Sequence, residues 1–424
     1  MQEDGWRGGF SMSDRVDVAI VGAGAAGIAA ARRLASHGRS ILLIEALPRL
    51  GGRAHTDMIA GMPLDLGCGW LHSAERNPLA ALADARGEPL DRRKSAWHKQ
   101  LRDLGIPARE QQDAWAAYER FGEALRREPP PSDRAGDALA AAGRWRPFID
   151  GLSSFMNGTE LERLSVADFL AYDDAASENN WRLPGGYGAF IISLAHGLPI
   201  ALGTRVTSIV QGRDVTLETD GGPIVARAAI VAVPTTMLAR GAIRFAPAVD
   251  DHLHAAAGLP LGLADKLFLS IADPDSVPPE SHLLGRLDRA ATGSHYIRPL
   301  GRPVIETFLG GAHAQALENE GEAAAAAFAI EELRNLLGAD FARGLTPIRA
   351  TRWAHEPTIG GSYSHALPGR ADARRVLRTP VNERLCFAGE ACSATDFSTA
   401  HGAWKSGLEA ADWIEQGLRQ EKRS

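Results

Sequence analysis

The sequence predicts an α/β fold built around a dinucleotide-binding domain. Three observations carry this. "VDVAIV" (16–21) is a short apolar run of strand character that breaks into "GAGAAG" (22–27). The helical "IAAARRLASHG" (28–38) and a second buried-strand run, "SILLIEA" (40–46), follow, which makes a βαβ unit of about thirty residues. At 424 residues the chain is long for one hydrophobic core, so a second domain is expected.

Composition narrows the class. An apolar share of 45% and a charged share of 23% are those of a soluble globular protein. A net charge of −6 argues against a nucleic-acid surface, which needs a basic stripe. Cys68, Cys386 and Cys392 are too few for a disulfide framework and lack metal-ligand spacing, so they read as small buried hydrophobes. A reducing cytoplasm is the default expectation. No apolar run reaches the roughly 18 residues of a membrane span. "MQEDGWRGGFSMSDR" (1–15) has acidic residues and no apolar h-region, so it is not a signal peptide. Residues 1–14 read as a flexible lead, with Met12 as an alternative start. Nothing indicates an oligomeric state.

Gly22, Gly24 and Gly27 form G-x-G-x-x-G, with Ala26 inside the turn. The first glycine permits the tight turn, the second lets backbone approach a pyrophosphate, and the third lets helix pack on strand. The helix N-terminus then offers free N–H groups and a positive dipole end to the phosphates. Gly38 ends that helix as a left-handed C′ residue. Glu45 closes the second strand, where its carboxylate can accept ribose hydroxyls. Gly51, Gly52 and Arg53 come next, in "EALPRLGGRAHT" (45–56). This piece resembles the second fingerprint of FAD-binding oxidoreductases, in which the arginine lies near the pyrophosphate. An NAD-only protein does not need it, so FAD is expected over NAD.

Residues 76–180 read as mainly helical, through "NPLAALADARG", "AREQQDAWAAYERFGEALRRE" and "LSVADFLAYDD", broken by "EPPPSD". "LPGGYGAFIISLAHGLPI" gives a turn and a helix. "VTSIVQGRDVTLETDGG" and "IVARAAIVAVP" read as strands with a hairpin, and "LADKLFLSI" (263–271) as a buried strand. "EGEAAAAAFAIEELRNLLG" (320–338) reads as one scaffold helix ended by Gly338. "LCFAGEA" reads as a last strand and "TAHGAWKSGLEAADWIEQGL" as a last helix.

"DLGCGWLHS" (65–73), which contains Gly67 and Trp70, extends the resemblance to a family. With the two glycine motifs it resembles the flavin amine oxidase superfamily: monoamine oxidases, polyamine oxidases and lysine-specific histone demethylases. Trp70-Leu71-His72 looks most like the polyamine oxidase branch. The resemblance covers residues 15–417 and is weakest over 76–180. It implies that Val206, in "TRVTSIV", contributes backbone to the adenine side. In "FAGEACSATDFSTAHGAWKSG" (387–407), Gly389, Glu390 and Ala403 belong to the cofactor-binding signature, with Glu390 facing the ribityl chain or pyrophosphate. Thr399 and Ala400 would present N–H groups to the flavin's pyrimidine edge, where the last helix's dipole stabilises an anionic reduced flavin.

A third matching stretch is "RWAHEPTIGGSYSHALPG" (352–369). Monoamine oxidases carry here a cysteine bonded to the flavin. Ser362 stands at that position, which implies non-covalent FAD. Tyr363 would be the substrate-facing aromatic and Trp353 would line the flavin face. The second tyrosine of monoamine oxidases is replaced by the Thr399–Ala400 region, a further sign of the polyamine oxidase or demethylase type.

Lysine is rare in this chain, five among 46 basic residues. Yet Lys266 heads a buried strand. In the family the corresponding lysine reaches a water that contacts flavin N5. A compact ammonium whose proton affinity responds to burial suits that task, and a planar guanidinium does not. The implied role is to help reduced flavin react with oxygen or to position a hydrolytic water. His72 could steer substrate, bind water or be structural. Asp173, Asp174 and Glu178 read as a solvated charge run or an acidic entrance.

The resemblance therefore implies an FAD-dependent oxidase of primary or secondary amines. Hydride passes from the carbon beside nitrogen to flavin N5, the imine hydrolyses, and molecular oxygen becomes hydrogen peroxide. A flavin desaturase acting on carbon–carbon bonds of an apolar substrate is the alternative. A redox-sensing flavoprotein or protein-lysine demethylase is a third reading, although the chain lacks added helical interaction regions. A glutathione-reductase-type FAD domain is expected from 15–80, 183–250 and 378–424, and an inserted α+β substrate domain from 81–182 and 251–377.

Overall fold

The structure is a computed structural model that describes residues 15–97, 101 and 107–421. The expected lead over 1–14 lies outside them. Among the described residues, eight strands form one sheet. Its centre is the strand Val16–Val21, parallel to Ile41–Ile44 on one side and to Gly222–Val231 on the other. Gly222–Val231 is long enough to take two further partners. Its first half pairs antiparallel with Val215–Thr219, and its second half pairs parallel with Leu385–Phe387. The sheet thus gathers three separated stretches of chain.

Both faces of the central strand are buried, which is why it reads as a continuous apolar run. Val18 and Ile20 pack with Ile28 and Leu34 of the helix Ala25–Ser36 and with Ile414 and Leu418 of the last helix, Ala400–Glu421. Ala19 and Val21 pack the other way, with Val206, Leu217 and Leu238.

Five antiparallel strands form a second sheet in the order Ser281–Leu284, Ser294–Ile297, Val304–Gly310, Ala264–Ile271, Leu345–Ala350. The strand that carries Lys266 is second from one edge and almost wholly buried. Helices Ala108–Arg127, Arg146–Met156 and Val166–Ala175 build a separate apolar cluster around Phe121, Phe148 and Phe169.

The expected helix over 320–338 is the helix Glu322–Leu337, which starts two residues later than expected. Gly321, at φ 101°, breaks the run between Gly311–Glu320 and Glu322–Leu337. Gly338, at φ 96°, ends the second as expected. A left-handed residue without Cβ strain stops a helix inside an alanine-rich sequence that would otherwise propagate it.

Candidate active site

A cavity of about 720 Å³ takes its walls from both sheets and from the helical cluster. Every catalytic and cofactor-binding residue named from the sequence lines it except Gly27, and of the acidic run Asp174 does not. Gly27 lies behind the turn. A Cβ there would come 1.9 Å from the Gly22 carbonyl oxygen and 3.3 Å from the Leu43 side chain. Its task is packing, as the third glycine of the motif requires. Gly22 has φ +102°, and a Cβ on it would lie 2.5 Å from the Ala232 carbonyl oxygen. The Gly51 amide donates to the Ala23 carbonyl at 2.9 Å, which draws the second glycine stretch onto the first.

Glu45 is buried beside this turn. Oε2 accepts from the Ala23 amide at 2.7 Å and Oε1 from the Leu47 amide at 2.9 Å. Burial pushes its carboxyl above the ordinary range against those two hydrogen bonds. Each carboxylate oxygen keeps a lone pair for a further donor.

Arg53 is a quarter exposed and bridges two segments. Its Nη1 donates to the Ser362 carbonyl at 2.7 Å and to Glu390 Oε1 at 2.9 Å. Glu390 also accepts from the Ser364 amide and hydroxyl and from the Ser398 amide. Burial opposes its charge, yet Arg53, Arg374 and these bonds together hold its carboxyl below the ordinary range. With both oxygens engaged by protein, Glu390 orients Arg53. The last helix begins at the cavity, where Thr399 Oγ1 accepts from the Gly402 amide at 2.9 Å as an N-cap. These residues fit a flavin dinucleotide. Glycines leave room where a Cβ would collide, and a buried carboxylate, a cation and a helix N-terminus line the same cavity.

The facing wall carries Lys266, Trp353, Ser362 and Tyr363. Lys266 is 4% exposed. Its Nζ donates to the Asp65 carbonyl at 2.8 Å and pairs with Glu306 Oε1 at 2.7 Å. The register explains the pair: Lys266 lies opposite Phe308, and Glu306 is one step along the same face. Ser362 is committed to the Ala264 backbone, donating to its carbonyl and accepting from its amide, each at 2.9 Å. The Trp353 indole donates to the Leu66 carbonyl at 3.3 Å. The Tyr363 hydroxyl donates to the Phe155 carbonyl, and burial pushes its phenol far above the ordinary value.

His72 and Trp70 form a third wall. His72 Nδ1 lies 2.8 Å from Asn180 Oδ1. The Asn180 amide nitrogen donates to the Ser177 and Glu178 carbonyls, so its oxygen faces the ring and Nδ1 carries the hydrogen. Nε2 is then an acceptor. Burial lowers the imidazole pKa to about 4, so the ring is neutral near pH 7. Trp70 packs against Trp97, with centroids 4.4 Å apart, and under the Arg182 guanidinium at 4.7 Å. Arg182 is fixed by Asp91 and Glu280 at 2.7 and 2.5 Å. Asp173 and Glu178 reach the cavity wall; Asp173 and Asp174 are also paired with Arg126.

Sequence reading missed Trp97, Trp115 and Tyr118 on the cavity wall, and the Arg182 clamp. One signal was present. Four of the nine tryptophans (Trp70, Trp97, Trp115 and Trp353) line this single cavity.

Fold and site together define a dinucleotide-dependent oxidoreductase, and relatives specify it further. Residues 25–414 match the family of flavin containing amine oxidoreductases. Polyamine oxidase 2 of Arabidopsis thaliana is 31% identical over 448 aligned residues, covering 95% of this chain and 90% of that protein. Cyclohexylamine oxidase from Brevibacterium oxydans shares the fold with a TM-score of 0.81 at 20% identity, over 96% of this chain and all of that one. Putrescine oxidase bound to putrescine superposes with a TM-score of 0.77 at 21% identity, over 95% of this chain and 99% of that one. The chain belongs to the flavin containing amine oxidoreductase family. It is an FAD-dependent amine oxidase, and the carbon–carbon desaturase reading is not favoured. No helix among the described residues is long and apolar enough to cross a membrane.

Proposed function

We propose that this protein oxidises a small di- or polyamine with non-covalent FAD and passes the electrons to molecular oxygen. One observation carries the reading. Lys266, Trp353 and Tyr363 converge on the same cavity that begins at the Gly22–Gly24 cradle and Glu45. When bound, FAD supplies the hydride acceptor and the route to oxygen. Gly22, Gly24, Ala26, Glu45, Arg53, Val206, Gly389, Thr399, Ala400 and Ala403 would hold it, with Gly67 and Trp353 against its ring. Ser362 has no free thiol chemistry and both its hydrogen-bonding capacities are spent on Ala264, which supports non-covalent binding.

The residues divide the work. Tyr363 and Trp353 shape an aromatic slot that excludes water and orients the carbon beside nitrogen. Neutral His72 offers a lone pair to an amine N–H. Lys266, oriented by its pairing with Glu306, would hold a water. Asp173 and Glu178 attract the distal ammonium of a diamine. Several relatives are polyamine oxidases, which agrees with that acidic wall. Three free thiols suit a reducing cytoplasm. We take 15–80, 183–250 and 378–424 as the FAD domain and 81–182 and 251–377 as the substrate domain, a division supported by the first sheet drawing its strands from the first three ranges.

Substrate class is tested by E178Q and D173N assayed with putrescine and with benzylamine. The expected result is a raised KM for putrescine of roughly tenfold, as the loss of about one charge-assisted contact gives, with benzylamine unaffected. An equal effect on both amines would overturn the diamine reading.

A further inference from the structure

Asp265 and Glu318 are carboxyl groups that none of the steps above uses. Asp265 precedes Lys266 and, by strand alternation, points to the other face of the sheet. Both are buried, at 4% and 5% exposure. Asp265 Oδ1 accepts from the Thr351 hydroxyl at 2.7 Å and from the Trp353 amide at 3.2 Å. Glu318, near the end of the helix Gly311–Glu320, takes the next two amides: Ala354 at 3.3 Å and His355 at 3.1 Å. Consecutive peptide groups are therefore held by two different carboxyls. The Thr351 hydroxyl also accepts from the Lys266 amide at 2.8 Å, so the same cluster sets the Lys266 strand against the Trp353 segment.

Asp265 Oδ2 is buried, and no donor reaches it. Glu318 is the acidic group beside it, since the amides that the two carboxyls hold, Trp353 and Ala354, are adjacent in the chain. Two carboxylates cannot hydrogen-bond without a proton between them. A bare buried carboxylate oxygen is costly, and one shared proton satisfies both groups.

We propose that Asp265 and Glu318 share one proton, that this proton clamps the Trp353–His355 segment, and that the pair thereby positions Trp353 and Lys266 at the flavin. This rests on the reading that Trp353 and Lys266 flank the flavin. Burial, and after it the Glu318 charge, raise the Asp265 carboxyl to about 7. Loss of the proton leaves two like charges in a dry space, and they separate. Because the Trp353 and Ala354 amides hang on opposite members, separation strains the peptide between them. The other titratable groups at the pair are His355, whose Nδ1 lies 3.1 Å from Glu318, and the Tyr363 phenol. The Lys266–Glu306 ion pair occupies the opposite face of the strand.

The test uses the FAD-loaded protein without substrate and two neutral isosteres, D265N and E318Q. The absorption spectrum of bound flavin is followed from about pH 5 to about pH 9, a window that brackets the raised carboxyl. The infrared carbonyl band of a protonated carboxyl group is followed in parallel, with and without flavin. The parent is expected to show a one-proton step in both signals. D265N, whose amide stays neutral and can donate to Glu318, is expected to keep its flavin and lose both steps. A parent without the protonated carboxyl band at low pH would overturn the proposal, as would D265N retaining the flavin step. If D265N does not fold, E318Q and the parent's infrared band decide in the same way. Failure of the flavin-face reading shows differently: the infrared step persists in the flavin-free protein, while W353F and K266M leave the flavin spectrum unchanged.

Discussion

Lys266 Nζ lies 2.7 Å from Glu306 Oε1, with the lysine 4% exposed and the glutamate side chain 16% exposed. Breaking such a pair from one side leaves an uncompensated buried charge, which costs about 3–5 kcal/mol. K266M is therefore expected to lose stability as well as activity, and the double variant K266M/E306Q to recover the stability without the activity. Thermal melts separate the two losses. Stopped-flow kinetics of the flavin then show which half-reaction needs the ammonium. Full stability in K266M alone would show that the pair is not coupled as described.

Arg53 and Glu390 form the second test. R53A removes a cation from the cavity and leaves the Glu390 carboxylate to hydrogen bonds from Ser364 and Ser398, with Arg374 acting on it only through its charge. FAD affinity is expected to fall about a hundredfold, equivalent to about 3 kcal/mol, as the loss of a desolvated charge-assisted contact gives. R53K is expected to recover only part of it, since the lysine ammonium sits short of the Nη1 position that makes both contacts and lacks the guanidinium's remaining donors. Equilibrium titration of the flavin-free protein with FAD measures both.

Gly22 and Gly24 differ in a checkable way. Gly22 combines a left-handed φ with a backbone collision, whereas a Cβ on Gly24 would meet only the Gly51 carbonyl oxygen at 3.7 Å. G22A is expected to yield little folded, flavin-loaded protein. G24A is expected to fold and to lose flavin affinity, because its methyl enters the space that backbone must leave for the pyrophosphate. Equal folding yields for the two would contradict the assignment.

Acid should destabilise the protein through two buried histidines. Burial lowers His72 to about 4 and His365 to about 3. The unfolded chain takes up these protons below about 6.5, and the folded chain does not until its own lower values. Stability is therefore complete above about pH 6.5 and falls as pH drops, by roughly 2 kcal/mol per group at pH 5. H72Q is expected to flatten part of that slope in denaturant titrations at pH 7 and pH 5.

Local motifs were readable in the sequence because each is fixed by short-range chemistry. The glycine turn, Glu45 and the buried strands follow from backbone conformation and apolar runs within about thirty residues. Lys266 stood out by its rarity, but its partner Glu306 lies forty residues on and is set by strand register, which no local pattern reveals. The Asp265–Glu318 meeting has the same origin. Trp97 reaches the cavity, and Arg182 reaches the Trp70 ring, through tertiary packing alone.

The most direct test is anaerobic mixing of the FAD-loaded protein with putrescine, spermidine and benzylamine while the flavin band is followed. Bleaching by at least one amine, with hydrogen peroxide released when air is admitted, is the predicted result. A flavin that dithionite bleaches and no amine does would contradict it.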